Sequence, residues 1–197
     1  MLIKEDLPKL RDDIRFEATL RGHLLRFYST WGLFNPKDID DGTRLLLEQI
    51  ELKNPQTVLD LGCGYGALGL ALAADLPSAT VHLVDKDFVA VEYAKKNATA
   101  NKLNNCEAYL SNGFSHVPKD MKFDLIVSNL PAKVGKELLY IIMNDAKNHL
   151  NPGGSFYVVT ISGLKEYIKR EFKDVFGNFT KVKQSKTYVV SLAEKTT

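Results

Sequence analysis

Residues 57–69 read TVLDLGCGYGALG. Apart from Asp60, Thr57 to Leu61 are apolar or β-branched, which suits a strand covered on both faces. Gly62, Gly64 and Gly66 follow at alternate positions. The chain then returns to an apolar run, ALGLALAADL (67–76), of helical length. Three alternate glycines between a strand and a helix exceed what a turn needs. They let backbone approach a ligand closely, and the helix amides behind them can receive an anionic group. In open α/β sheets this is the ligand position, at the carboxyl ends of the strands.

The same alternation continues downstream. Strands are expected at 80–85, 107–112, 123–129 and 155–161, and helices at 88–103, 134–150 and 164–177. Two last strands, 179–184 and 187–193, have no helix between them. The pattern predicts an α/β fold: a mostly parallel seven-stranded sheet with an antiparallel C-terminal hairpin. Upstream, residues 15–30 read as two short strands about Arg21-Gly22-His23, with Gly22 supplying a positive φ. A helix through LLLEQIEL (45–52) is expected, capped by Asp41 or Thr43 and ended by Asn54-Pro55. Asn151-Pro152-Gly153-Gly154 is expected to separate a helix from the next strand. The organisation expected is an N-terminal extension, 1–40, with the β-hairpin and a substrate-side loop, followed by an α/β domain, 41–197.

The chain has 197 residues, 45% of them hydrophobic and 25% charged, enough apolar surface for one sizeable core. No apolar run approaches membrane-spanning length, and the start, MLIKEDLPKLRDD, is too charged for a secretory signal. Cys63 and Cys106 offer neither metal spacing nor a disulfide framework. The expectation is a reduced, cytoplasmic protein without metal or membrane partner. No reading of oligomeric state follows. A net charge of +2 does not announce a nucleic-acid binder. The basic residues are nevertheless uneven: Lys165, Lys169, Arg170, Lys173, Lys181, Lys183 and Lys186 near one end, Arg11, Arg15, Arg21 and Arg26 near the other. Such runs are usually solvated faces, and they also permit a phosphate-facing surface.

Gly62-Cys63-Gly64-Tyr65-Gly66-Ala67 also fits the dinucleotide fingerprint in its final-alanine form, so the loop alone does not choose between NAD and another adenosine cofactor. Asp60 helps choose. A buried carboxylate needs donors; the ammonium of a methionine-type cofactor provides them, whereas a pyrophosphate would be repelled. Asp85 ends the second strand of the alternation and can accept both ribose hydroxyls of an adenosine in either cofactor class. Asn112 ends the third strand, where its amide can read an adenine edge or simply make a turn. Cys63 reads as a small packing residue, since no histidine or other base neighbours it in sequence. FDLIVSNLPAKVGK (123–136) is a core strand broken at Ser128-Asn129-Leu130-Pro131, either plain loop punctuation or a ligand-holding amide at the sheet edge.

VLDLGCGYGALG, LVD and SNLP together resemble the class I S-adenosylmethionine-dependent methyltransferases, over residues 56–193. The resemblance implies a Rossmann-like methyltransferase sheet and S-adenosyl-L-methionine as cofactor. It places cofactor contacts at Asp60, Gly62, Cys63, Gly64, Gly66, Asp85, Lys86, Asn112, Gly113 and Asn129. The lead-in GLFNPKDIDDGTR, with Phe34, Asp40 or Asp41, Gly42 and Thr43, and the ending DVFGNFTKVKQSKTYVVSLA are similar to the ribosomal RNA small-subunit methyltransferase C family. Its members methylate the exocyclic amine of a guanine. Its bacterial members carry a degenerate N-terminal copy, and this chain is similar to a single-domain form. RNA is therefore the implied partner, as small-subunit ribosomal RNA or the assembling subunit.

By this resemblance Asn129, Leu130 and Pro131 form the catalytic motif. The Asn129 side-chain oxygen and the Leu130 carbonyl would accept the two hydrogens of the amine, with Pro131 fixing the backbone. Phe34, Thr43, Ala132 and Lys133 fall on the substrate side. Two positions depart from the family's Asn-Pro-Pro-aromatic motif. Leu130 stands for the first proline, as in a family that methylates a guanine ring nitrogen in transfer RNA. Ala132 stands for the aromatic that stacks on the base, which leaves Phe34 or Trp31 to stack. DNA adenine and protein glutamine are alternative acceptors for such a motif. A dinucleotide-dependent oxidoreductase or a non-catalytic nucleotide-binding module is the alternative of another class.

Overall fold

The computed structural model describes residues 12–131 and 135–196. A hairpin comes first, β1 (Ile14–Leu20) and β2 (His23–Ser29), paired from Leu20↔His23 to Ile14↔Ser29. Its turn holds two residues at positive φ, Arg21 at 48° and Gly22 at 84°, the twist that suits a two-residue hairpin loop. Arg21 is anchored there by its side chain. The guanidinium donates to Asp75 Oδ2 (2.7 Å) and to the carbonyls of Leu47 (2.5 Å) and Ile50 (3.3 Å).

Helix α1 (Asp41–Gln49) is capped by Asp40 rather than by Asp41 or Thr43, and ends short of the expected Leu52. Asp40 wins because its Oδ2 accepts from both Gly42 N (2.9 Å) and Thr43 N (3.2 Å). At the other end Ile50 turns extended (ψ 119°), and Arg21 satisfies the carbonyls left over.

The alternating region follows as expected: β3 (Thr57–Leu61), α2 (Ala67–Asp75), β4 (Thr80–Asp85), α3 (Phe88–Ala100), β5 (Cys106–Leu110), β6 (Phe123–Asn129), α4 (Lys136–His149), β7 (Leu150–Ile161), α5 (Lys165–Phe176), β8 (Thr180–Gln184) and β9 (Tyr188–Glu194). β5 is set earlier than the expected 107–112. β7 starts at Leu150, directly after α4, so Asn151-Pro152-Gly153-Gly154 lies inside the strand rather than between elements. Gly153 N donates to Lys195 O (2.6 Å) and Lys195 N to Gly154 O (2.9 Å), which holds these residues in the sheet despite their turn chemistry.

The sheet order is β5-β4-β3-β6-β7-β9-β8. The first five strands are parallel; β9 runs antiparallel to both β7 and β8. The exposed edge strand β8 carries Lys181 and Lys183, charges that discourage edge-to-edge pairing. One face of the sheet is covered by the hairpin, α1, α2 and α3 around Phe27, Leu46, Leu70 and Leu83. The other is covered by α4 and α5 around Leu139, Met143, Phe156 and Phe172. Strand order reverses between β3 and β6, and this opens a crevice at their carboxyl ends. Among the described residues no helix is long and apolar enough to cross a membrane.

Candidate active site

The crevice is a cleft of about 330 Å³, within the usual size of small-molecule sites. It gathers residues from seven places in the chain: the loop before α1 (Phe34, Asp40), α1 itself (Thr43), the β3–α2 loop with Asp60, the end of β4, the segment after β5, the end of β6, and α4. Gly62, Gly64 and Gly66 stand at φ 76°, 54° and 95°, a region that side chains resist. The loop is tied to the sheet by Gly62 N and Cys63 N, which donate to Val84 O at 2.8 and 2.9 Å.

Asp60 is 1% exposed. Its Oδ2 accepts from Gly69 N at 2.7 Å, and no donor among the described residues reaches Oδ1. Burial, offset by that backbone hydrogen bond and reinforced by the nearby Asp85, pushes the carboxyl up to about 7. A buried acid short of donors, on the wall of a cleft, fits a cationic group such as an ammonium. Asp85 Oδ2 accepts from Gly64 N and Oδ1 from Asp87 N, both at 2.9 Å, so the carboxylate is held fixed with lone pairs to spare. Lys86, Asn112 and Gly113 line the same end, with Lys86 and Asn112 exposed. Cys63 is buried, and burial first, then Asp60 and Asp85, push its thiol well above the ordinary range, as for a packing residue. The donors and acceptors at this end fit S-adenosylmethionine: an acid for its ammonium, the glycine loop for close approach, an acid for the ribose.

Asn129 carries the most informative geometry. Its Nδ2 donates to Asp40 Oδ2 (2.9 Å) and to Thr43 Oγ1 (3.0 Å), which uses both amide hydrogens. The side-chain oxygen is therefore the atom left over, and the cleft wall includes Asn129. Leu130 N donates to Val159 O (3.0 Å) and its side chain is buried against the α4 face, which fixes the backbone at this position. Pro131 follows on the cleft wall. Phe34 projects outward at 68% exposure between the buried anchors Leu33 and Ile39. Trp31 is exposed with the Lys37 ammonium 4.6 Å over its ring, and it does not line the cleft. Ala132 and Lys133 lie outside the described residues.

Comparison with known proteins shows the family and the fold. The methyltransferase small domain matches residues 24–191. The chain belongs to that family. It is a methyltransferase of the S-adenosylmethionine-dependent class, on the Rossmann-like sheet described above. It is 33% identical over 179 residues to the Bacillus subtilis protein YbxB, covering 89% of each. It is 38% identical to Haemophilus influenzae ribosomal RNA small subunit methyltransferase C, over 76% of this chain and 46% of that protein. Ribosomal RNA large subunit methyltransferase G of Shewanella amazonensis is 32% identical, over 88% of this chain and 46% of that protein. The chain thus spans about half the length of these two named methyltransferases. Among solved structures, the T. thermophilus 16S rRNA N2 methyltransferase RsmC, in complex with AdoMet and guanosine, superposes with a TM-score of 0.84. That pair is 32% identical, covering 93% of this chain and 50% of that one.

Several members of the site carried no sequence signal. Tyr188 Oη donates to Asp40 Oδ1 (3.0 Å) from the start of β9, far away in sequence. Tyr65 Oη is shared between the carbonyls of Asn35 (3.3 Å) and Asp38 (3.0 Å), tying the glycine loop to the Phe34 loop. Ser111, Leu138 and Ile142 also line the cleft. The basic residues divide. Arg26 pairs with Glu17, Lys165 and Lys169 lie near Glu166, and Arg170 pairs with Glu171. Lys173, Lys181, Lys183 and Lys186 make no ion pair among the described residues. Arg11 lies outside those residues.

Proposed function

We propose that this chain methylates the exocyclic amine of a guanine in small-subunit ribosomal RNA. The observation that carries the reading is the orientation of Asn129, whose two amide hydrogens are consumed by Asp40 and Thr43. The side chain thereby offers the cleft an acceptor, which suits a substrate nitrogen that bears hydrogens. A ring nitrogen without a hydrogen, such as guanine N7, has nothing to donate to it, and guanine N1 carries one hydrogen where the exocyclic amine carries two.

Bound S-adenosylmethionine supplies a methyl carbon on a positively charged sulfur, which needs alignment more than activation. Asp60 would hold the ammonium, the Gly62–Gly66 loop and Cys63 would pack along the ligand, and Asp85 would hold the ribose. Lys86, Asn112 and Gly113 would border the adenine. The guanine amine is a weak nucleophile because its lone pair is delocalised into the ring. Asn129 Oδ1 and the Leu130 carbonyl accept its two hydrogens and aim the lone pair at the methyl. No residue needs to remove a proton first; as the nitrogen–carbon bond forms, the sulfur–methyl bond would break to leave the neutral thioether, and the cationic amine would then lose its proton to water. Phe34 stacks on the base in place of the aromatic missing at Ala132, a contact worth about 1–3 kcal/mol. Thr43 and Lys133 complete the substrate side. The reaction takes place in the cytoplasm, where the subunit is assembled.

A base in large-subunit ribosomal RNA is the second reading, favoured by the Shewanella amazonensis relative. Asn129→Ala tests the shared core of both. Transfer to purified ribosomal RNA is expected to fall by about 100-fold or more, with calorimetric affinity for S-adenosylhomocysteine retained. Full activity in the variant would overturn the role of Asn129.

A further inference from the structure

Asp40 does more than cap a helix. Capping requires one oxygen facing the first amides of α1, and Oδ2 meets that need at Gly42 N and Thr43 N. The same oxygen also accepts from Asn129 Nδ2 at 2.9 Å. The other oxygen accepts from Tyr188 Oη at 3.0 Å. One carboxylate thus receives four donors from three parts of the chain: the start of α1, the end of β6 and the start of β9. Gly42 makes the cluster possible. A Cβ at that position would stand 2.8 Å from Asp40 Oδ2 and 2.9 Å from Tyr188 Cε1.

We propose that Asp40, braced by Tyr188 and assisted by Thr43, is the positioning residue that fixes which way the Asn129 amide faces. The inference rests on the reading of Asn129 as the methyl-acceptor clamp. A primary amide has nearly the same shape after a half-turn that exchanges oxygen and nitrogen, so its neighbours decide its direction. A carboxylate only accepts. A turned amide would set its oxygen against Asp40 Oδ2 and present hydrogens to the substrate amine, donor against donor. Tyr188 holds the carboxylate in the plane that serves both the α1 amides and Asn129. The C-terminal hairpin, distant from the glycine loop in sequence, thereby takes part in aligning the acceptor.

Asp40→Ser separates positioning from capping, because serine is also a strong N-cap but its short side chain does not reach Asn129 or Tyr188. The expected result is a fall in kcat of about tenfold or more from a misdirected amide, with KM for ribosomal RNA, S-adenosylhomocysteine affinity and Tm close to wild type. The Asn129 side-chain amide proton resonances, read without turnover, should shift and exchange faster. Asp40→Asn places an oxygen where Oδ2 stood and should recover kcat relative to Asp40→Ser. Tyr188→Phe removes a single oxygen; it should lower kcat less than Asp40→Ser and carries the test if the serine variant does not fold. An unchanged kcat, a loss that follows Tm, or unmoved Asn129 amide resonances would overturn the proposal. If Asn129→Ala itself stays active, the clamp reading fails. If Asn129→Ala is inactive while Asp40→Ser is fully active, only the positioning role fails.

Discussion

Asp60 shows how one buried side chain sets a measurable property. Its carboxyl has an ordinary value of 3.8 and is pushed up to about 7, chiefly by burial. In the ligand-free protein the proton is therefore favoured in the folded state. That contribution to stability is fully present below 3.8 and lost as pH rises through about 7. Ligand binding has the opposite sense. An ammonium group needs the carboxylate, so below about 7 binding must expel a proton. Affinity for S-adenosylhomocysteine should weaken towards a limit of about tenfold per pH unit as pH falls below that point. Calorimetry at pH 6 in buffers of different ionisation enthalpy should show net proton release on binding, and Asp60→Asn should abolish it. Equal heats in all buffers would remove Asp60 from the ammonium site. Asp60 was legible beforehand because an acid inside an apolar strand demands a partner. The orientation of Asn129 was not, because the acceptors that fix it come from Asp40 and Thr43, far upstream.

At the scale of elements, α3 and its C-cap protect the outer edge of the hairpin with two asparagines one turn apart, Asn97 and Asn101. Asn97 Oδ1 accepts from Tyr28 N (2.7 Å), while its Nδ2 donates to the carbonyls of Tyr28 and Tyr65, both at 2.9 Å. Asn101 treats Arg26 in the same way, accepting from its N (2.9 Å) and donating to its O (2.7 Å). Side-chain amides thus stand in for a neighbouring strand along β2. Asn97 is fully buried, and Asn97→Ala leaves three backbone groups without partners, so a loss of about 2–4 kcal/mol is expected. The Asn101 contacts with Arg26 are exposed, and Asn101→Ala should cost about 1 kcal/mol or less. Urea denaturation of both variants checks the contrast; equal losses would contradict it. The strands and helices themselves were legible, since periodicity and the glycine loop are local signals. The interior placement of Asn151-Pro152-Gly153-Gly154 was not. There, pairing with Lys195 overrides turn chemistry, and the partner lies more than forty residues away. The α1 boundaries shifted for a similar reason, with Arg21 from the hairpin turn setting where the helix stops.

For the molecule as a whole, the reversal of strand order between β3 and β6 brings Asp60 and Asn129 to one crevice. The register Asp60↔Val127 sets the two ends side by side. The loop before α1 and the start of β9 meet at Asp40 beside this point, so the Asn129 side of the cleft draws on both ends of the chain while the Asp60 side is drawn from its middle. Lys173, Lys181, Lys183 and Lys186, without acidic partners among the described residues, are available to phosphates. The family and the class of chemistry follow from the family match and the sheet with its loops; the proposal of ribosomal RNA rests on the named relatives. The decisive measurement is mass-spectrometric mapping of methyl groups after incubating the protein and labelled S-adenosylmethionine with ribosomal RNA and with both ribosomal subunits, from cells lacking the protein. The account predicts label at the exocyclic amine of a single guanine in small-subunit RNA, absent with Asn129→Ala. Label on a guanine ring nitrogen, or on protein, DNA or transfer RNA in place of ribosomal RNA, would contradict it.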